Sequence, residues 1–258
     1  MTFIPPILRK TTVGAPRLFA RLYAIDKLLA GLPEPRRILE IGPGLGDLSA
    51  HLLERYPSAV LDFSEVSNDA AEVLRNRFAG EPRVTVSQED LLGRADIEPT
   101  FDLVIACEVF EHIENDAAGL RAVGRLMNKG GYFIFSAPCH MSKWQAADVF
   151  AGHFRRYERT ELAEKLQSAD LAVEHLWTFG FPSVNVIQPL RQLYYKSRNR
   201  EHTVDKQTAT EKSGIDRPNA MRYAKWPAIL AMLPLFPIES LFWRSNLGDG
   251  FLVLARKR

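Results

Sequence analysis

Cysteine is nearly absent: Cys107 and Cys139 are the only two in 258 residues, and each stands beside an apolar stretch. That argues against a disulfide framework or a cysteine-rich metal centre, and two buried thiols are expected instead. Charge of one sign is lacking too. The formal net charge of +2 does not require a nucleic-acid partner. Long apolar runs are missing as well. The opening residues 1–17 hold too short an apolar run and too many prolines for a signal peptide. The most apolar stretch, 226–243 (WPAILAMLPLFPIESLFW), is broken by Pro227, Pro234, Pro237 and Glu239, so it does not read as a membrane-spanning helix. No internal repeat or low-complexity tract is apparent. What remains is a chain of ordinary composition, 46% hydrophobic and 25% charged, long enough to bury a full core and expected in the cytoplasm.

The most informative stretch is 37–53, RILEIGPGLGDLSAHLL. Ile38, Leu39 and Ile41 suit a central strand buried on both faces, and Glu40 is the one charge among them. Gly42, Gly44 and Gly46 allow a tight turn and a close approach of backbone to ligand. Leu48, Leu52 and Leu53 then follow a helical period. The spacing departs from the dinucleotide fingerprint G-x-G-x-x-G, because the third glycine comes one residue early and Asp47 stands in its place. No Gly-Lys-Ser/Thr follows, which argues against a phosphate-binding loop of the nucleotide-hydrolase kind.

Taken in order, 1–17 reads as an irregular arm and 18–30 as an amphipathic helix bearing Phe19, Leu22, Ile25, Leu28 and Leu29. Strands are expected at 37–41, 59–63, 83–86, 101–106, 132–136, 171–177 and 251–255, with helices after the first, second and fourth and over 161–168, capped by Thr160. This alternation predicts an α/β fold: a doubly wound, mostly parallel seven-stranded sheet with right-handed crossovers. Roughly 70 residues separate the last two strands, far more than a hairpin, so an α-rich insertion precedes the final strand. The expected divisions are an arm and helix over 1–35, a ligand-binding core over 36–180, a substrate-recognition insertion over 181–246 and a closing strand over 247–258. Within the insertion, 203–213 is almost devoid of apolar residues and reads as a lid.

Ligands of such sheets bind beyond the carboxyl ends of the strands. The second strand ends at Glu65, roughly 20 residues past the glycine turn and placed to accept hydrogen bonds from ribose hydroxyls. Asp62 competes but lies inside the strand. The third strand is followed by Glu89-Asp90-Leu91, and the fourth by Cys107-Glu108-Val109-Phe110-Glu111-His112.

The motifs ILEIGPGLG, SEVSNDAAEVL, QEDLL, FDLVIACEVFEHI and GHFRRYERTEL resemble those of class I S-adenosylmethionine-dependent methyltransferases, nearest to the ubiquinone-pathway O-methyltransferases, over about residues 36–180. The resemblance implies S-adenosylmethionine as cofactor. Gly42, Gly44 and Gly46 would face its methionine part, Glu40 its amino group and Glu65 its ribose. Asp90 would meet the adenine amino group and Leu91 the adenine face, with Val66 and Cys107 completing the set. The family usually carries Asp where Glu65 stands, and often where Glu40 stands; the extra methylene changes little of the chemistry.

Methyl transfer needs in-line placement and a deprotonated nucleophile. Glu108, His112 and His153 are the catalytic candidates, with His140 also near the strand ends; His112 or His153 would be the general base. E-x-x-E-H places Glu108, Glu111 and His112 on one face of a helix start. With His153 they would form a four-ligand set for a divalent metal, Mg or Zn, as in the metal-using relatives that the resemblance implies, and the metal would orient a diol. Arg155 and Arg156 are either a solvated turn or an anion-recognition pair. The expected activity is O-methylation of a small-molecule or lipid-linked acceptor, with 226–243 as either a packed helix pair or a peripheral contact with the inner membrane face. The alternatives are an RNA 2′-O-methyltransferase and a non-catalytic S-adenosylmethionine-binding protein.

Overall fold

The computed structural model describes residues 4–88, 90, 98–199 and 223–258. Its strands are β1 (Arg37–Ile41), β2 (Val60–Ser64), β3 (Val84–Ser87), β4 (Phe101–Cys107), β5 (Met127–Pro138), β6 (Leu171–Phe179) and β7 (Gly250–Lys257). They form one seven-stranded sheet in the order β3-β2-β1-β4-β5-β7-β6. The neighbours from β3 to β5 are parallel, whereas β7 runs antiparallel between β5 and β6. The order reverses at β1, so the carboxyl ends of β1 and β4 open a crevice between them.

Helices cover both faces. They are α1 (Pro6–Arg9), α2 (Pro16–Leu29), α3 (Asp47–Arg55), α4 (Asn68–Arg77), α5 (Asp116–Leu126), α6 (Ala146–Ala151), α7 (Arg159–Ser168), α8 (Ser183–Asn199), α9 (Lys225–Met232) and α10 (Phe236–Phe242). On one face Phe19, Ile25 and Leu29 of α2 pack with Leu52, Leu61 and Leu103, and with Ile229 and Phe236 of the insertion. On the other, Leu120, Val123, Leu162 and Leu166 of α5 and α7 pack on Leu39, Val104 and Phe133. β1 is buried through four consecutive residues because helices lie on both sides of it, the condition under which a strand loses polar alternation.

Several boundaries differ from expectation. The arm is not wholly irregular, since Pro6 opens α1 and Ile7 and Leu8 are buried. α7 is capped by Glu158 rather than Thr160: the Glu161 carboxylate accepts the Glu158 N–H at 3.4 Å, so the helix starts two residues earlier, at Arg159. β5 begins at Met127, five residues before the expected start at 132. Asn128 Nδ2 donates to Asp102 Oδ1 at 2.9 Å, and Gly131 lies so close to the Asp102 carbonyl that a Cβ would stand 3.1 Å from it. Side-chain pairing and a missing Cβ thus hold that segment against β4.

Residues 225–242 of the insertion pack as the short helices α9 and α10. The ring of Tyr23 on α2 stacks on Phe236 at 4.4 Å between centroids, and Trp243 stacks on Trp177 of β6 at 4.5 Å. No helix of the described residues is long and apolar enough to cross a membrane. The expected lid at 203–213 lies outside the described residues, as does Leu91.

Candidate functional site

β1 delivers the chain into a turn in which Gly42, Gly44 and Gly46 all take positive φ, at 63°, 56° and 74°. A side chain at Gly42 would meet Val109 Cγ2 at 2.7 Å, and one at Gly46 would meet the Phe78 ring at 2.8 Å. Conformation and space both require glycine there. The Gly46 residue caps α3, so backbone N–H groups of the helix start face the crevice.

Two buried acids flank this turn. Glu65, just past β2, accepts the Gly44 N–H at 3.2 Å and the Ser67 N–H at 3.0 Å. Burial raises its pKa, while these N–H donors pull it back. Glu40, the last charged residue of β1, accepts the Ser49 hydroxyl at 2.6 Å. Burial pushes its pKa up to about 7, helped by the charge of Asp47 and opposed by Ser49, Arg21 and Arg77. Val66 is exposed beside Glu65, and Asp90 is exposed beyond β3. Asp62, the competitor, is tied to Arg37 Nε at 2.7 Å inside the strand. At the end of β4, Cys107 is half-buried with its thiol pushed up to about 12 by burial.

The opening of the E-x-x-E-H motif does not share a helical face. Glu108 takes φ 60°, outside the short 3₁₀ turn Phe110–His112, and its carboxylate is engaged by α2. There it pairs with Arg17 Nη1 and, at 3.3 Å, with Arg21 Nη1, and it accepts the Ser136 hydroxyl at 3.1 Å. Burial opposes its ionisation, but Arg17 and Arg21 hold it down to about 2. Arg17 Nε reaches Asp249 at 2.5 Å, and Gln188 of α8 donates to the other oxygen of Asp249 at 2.6 Å. Arg17, Arg21, Gln188 and Asp249 escaped the sequence reading. The only signal was two arginines four apart on a helix whose other inward residues are apolar.

The remaining three residues of the expected four-ligand set do converge. Glu111, His112 and His153 each offer a ligand atom within 4.8 Å of the others. The His112 and His153 rings meet edge to face at 4.7 Å, and His153 Nε2 lies 3.9 Å from Glu111 Oε1. Glu111 is wholly buried, and both its carboxylate oxygens are without a hydrogen-bond partner among the described residues. Burial, and secondarily Glu108, raises its pKa well above the ordinary value; burial pushes His112 down to about 3. His140 is elsewhere, bound to Glu158 at 2.7 Å. Neither arginine of the GHFRRY stretch is a free anion receptor. Arg155 pairs with Asp116 at 2.7 Å, and buried Arg156 holds Asp148 through two hydrogen bonds.

A family model described as a methyltransferase domain matches residues 16–176. The chain is 36% identical over 118 residues to a ubiquinone biosynthesis O-methyltransferase of Alkalilimnicola ehrlichii, covering 45% of this chain and 47% of that one. It is 28% identical over 106 residues to a malonyl-[acyl-carrier protein] O-methyltransferase of Halalkalibacterium halodurans, covering 40% and 39%. These matches span less than half the length of those relatives. Among solved structures, phosphoethanolamine N-methyltransferase 2 of Haemonchus contortus, in complex with S-adenosyl-L-methionine, superposes with a TM-score of 0.58 at 15% identity over 91% of this chain and 51% of that one. At that identity the likeness concerns the fold alone.

Proposed function

We propose, from the premise that the chain belongs to the methyltransferase domain family and has the class I fold of its members, that it transfers the methyl group of S-adenosylmethionine to an oxygen of a small-molecule or lipid-linked acceptor. The observation that carries this is the glycine turn at the crevice, with Glu65 on the Gly44 N–H and buried Glu40 beside it. In this reading Gly42, Gly44 and Gly46 take the methionine part, Glu40 its ammonium and Glu65 the ribose. Asp90, Val66 and Cys107 line the adenine side and the approach to sulfur, the role the motif also gives to Leu91. Glu108 is held ionised by two arginines, so its role is to fix α2 across the crevice rather than to move a proton.

The acceptor belongs on the side of His112 and His153, where one imidazole within reach of the acceptor hydroxyl serves as general base. A divalent cation is a second reading, favoured by the orphaned, buried Glu111 carboxylate. Glu111, His112 and His153 would hold it, and its charge would lower the pKa of an acceptor hydroxyl. A lipid-linked acceptor at the cytoplasmic membrane face is supported by the insertion. Trp226, Leu230, Ile238 and Leu241 are exposed, the single charge between them, Glu239, is turned inward, and Lys225 and Arg244 flank the face.

The test is to incubate the protein and methyl-labelled S-adenosylmethionine with an extract of its source cells, with and without chelator. Label in the lipid phase is the expected outcome, and label in the aqueous fraction would redirect the acceptor to soluble compounds. No transferred label in either fraction would contradict the proposed activity. Undiminished transfer in chelator would remove the cation.

A further inference from the structure

His153 stands on a buried ion pair that no part of the cofactor site uses. Asp148 on α6 and Arg156 are 1% and 3% exposed, and burying such charges is costly unless they are paired and hydrogen-bonded. Every oxygen position of Asp148 is taken. Oδ2 accepts Arg156 Nη2 and the Gln145 N–H, both at 2.8 Å. Oδ1 accepts Arg156 Nε at 2.9 Å and lies 2.9 Å from His153 Nδ1. An ionised carboxylate has no proton to give, so the proton of that last contact belongs to Nδ1. The backbone repeats the restraint, since the His153 N–H donates to the Asp148 carbonyl at 3.0 Å.

We propose that Asp148, clamped by Arg156, is a positioning residue: it fixes His153 as the Nδ1–H tautomer and presents the Nε2 lone pair to the pocket of Glu111 and His112. The proposal rests on the reading of that pocket as the acceptor side of a methyltransferase. A lone pair of fixed direction serves whether a proton or a cation takes it, because in both uses the second ring nitrogen sets the first. The buried pair is thereby given a purpose that helix capping alone does not supply, since one carboxylate oxygen suffices for the cap.

The test reads the tautomer directly in the full chain, by long-range nitrogen–proton NMR of the histidine rings in mildly alkaline buffer, with His153 assigned by its loss in His153→Gln. Nδ1 is expected protonated and Nε2 bare. In Asp148→Asn the amide oxygen takes the place facing Arg156 Nη2 and the Gln145 N–H, two donors that cannot change. The amide N–H₂ then takes the other place, which faces a single fixed donor, Arg156 Nε, together with Nδ1, and drives the proton to Nε2. Arg156→Lys, which keeps the charge but loses the fork, is expected to give a mixture. Methyl transfer into extract should fall by about tenfold or more in Asp148→Asn, with KM for S-adenosylmethionine and S-adenosylhomocysteine affinity unchanged, and Asp148→Glu should restore part of it. An Nε2–H ring in the unaltered protein, or an unmoved tautomer in folded Asp148→Asn, overturns the proposal. Absence of S-adenosylhomocysteine binding to the unaltered protein would instead overturn the methyltransferase reading and leave the tautomer result standing.

Discussion

Glu40 is a carboxyl group at the end of a buried strand, bonded to one hydroxyl and ordinarily half protonated at about pH 7. A cofactor ammonium would prefer its ionised form. Below that pH the free protein holds a proton that binding must expel, so affinity for S-adenosylhomocysteine should fall as pH drops from alkaline through 7, by up to about tenfold per unit. Glu40→Gln should bind more weakly and lose that slope; calorimetry across the range measures both, and an identical slope in the variant would remove Glu40 from the ammonium site. Glu40, Glu65 and the three glycines were legible in the sequence because each departs from what a plain strand end needs. Glu108 was legible as a polar residue but not in its direction. It takes a positive φ at a non-glycine position and pairs with Arg17, from a helix distant in sequence, outside the cluster of Glu111, His112 and His153. Asp148 was illegible, as its meaning comes only from the convergence of Arg156 and His153 upon it.

At the level of elements, the insertion has its own buried acid. Glu239 of α10 is bonded to the Ser183 hydroxyl at the start of α8, and its second oxygen has no partner among the described residues. Burial pushes its pKa up to about 7 from the ordinary 4.5. The folded state therefore holds a proton that the unfolded chain gives up. This contribution is fully present below the unfolded value and is lost as pH rises through 7, because a charge must then be kept in an apolar seam. Glu239→Gln keeps the hydrogen bond and removes the charge. It should raise stability in mildly alkaline buffer by about 1–3 kcal/mol and change it little in mildly acidic buffer, as urea unfolding at the two conditions would record. An equal effect at both would contradict the account. The alternation of strand and helix made β1 to β4 readable, since buried parallel strands show as short apolar runs. The start of β5 was not, because Asn128, Lys129, Gly130 and Gly131 have turn chemistry that Asp102 and the pairing with β4 override.

For the whole molecule, α2, the sheet and the insertion share a single apolar core on one face, which ties elements from distant parts of the sequence to one side of the sheet. Arg17 joins them, reaching Glu108 after β4 and Asp249 before β7. Sequence periodicity carried the doubly wound class and the position of the insertion, but not that β7 lies between β5 and β6 or that α2 pairs with Glu108 after β4, since long-range pairing leaves no local period. The proposed function stands on the glycine turn at β1 as a cofactor site. Titration calorimetry of S-adenosylhomocysteine against the unaltered protein and against Gly44→Val, with folding of the variant checked by circular dichroism, tests it most directly. One-site binding that is abolished in the folded variant is the predicted result; no binding to the unaltered protein, or normal affinity in Gly44→Val, would contradict it.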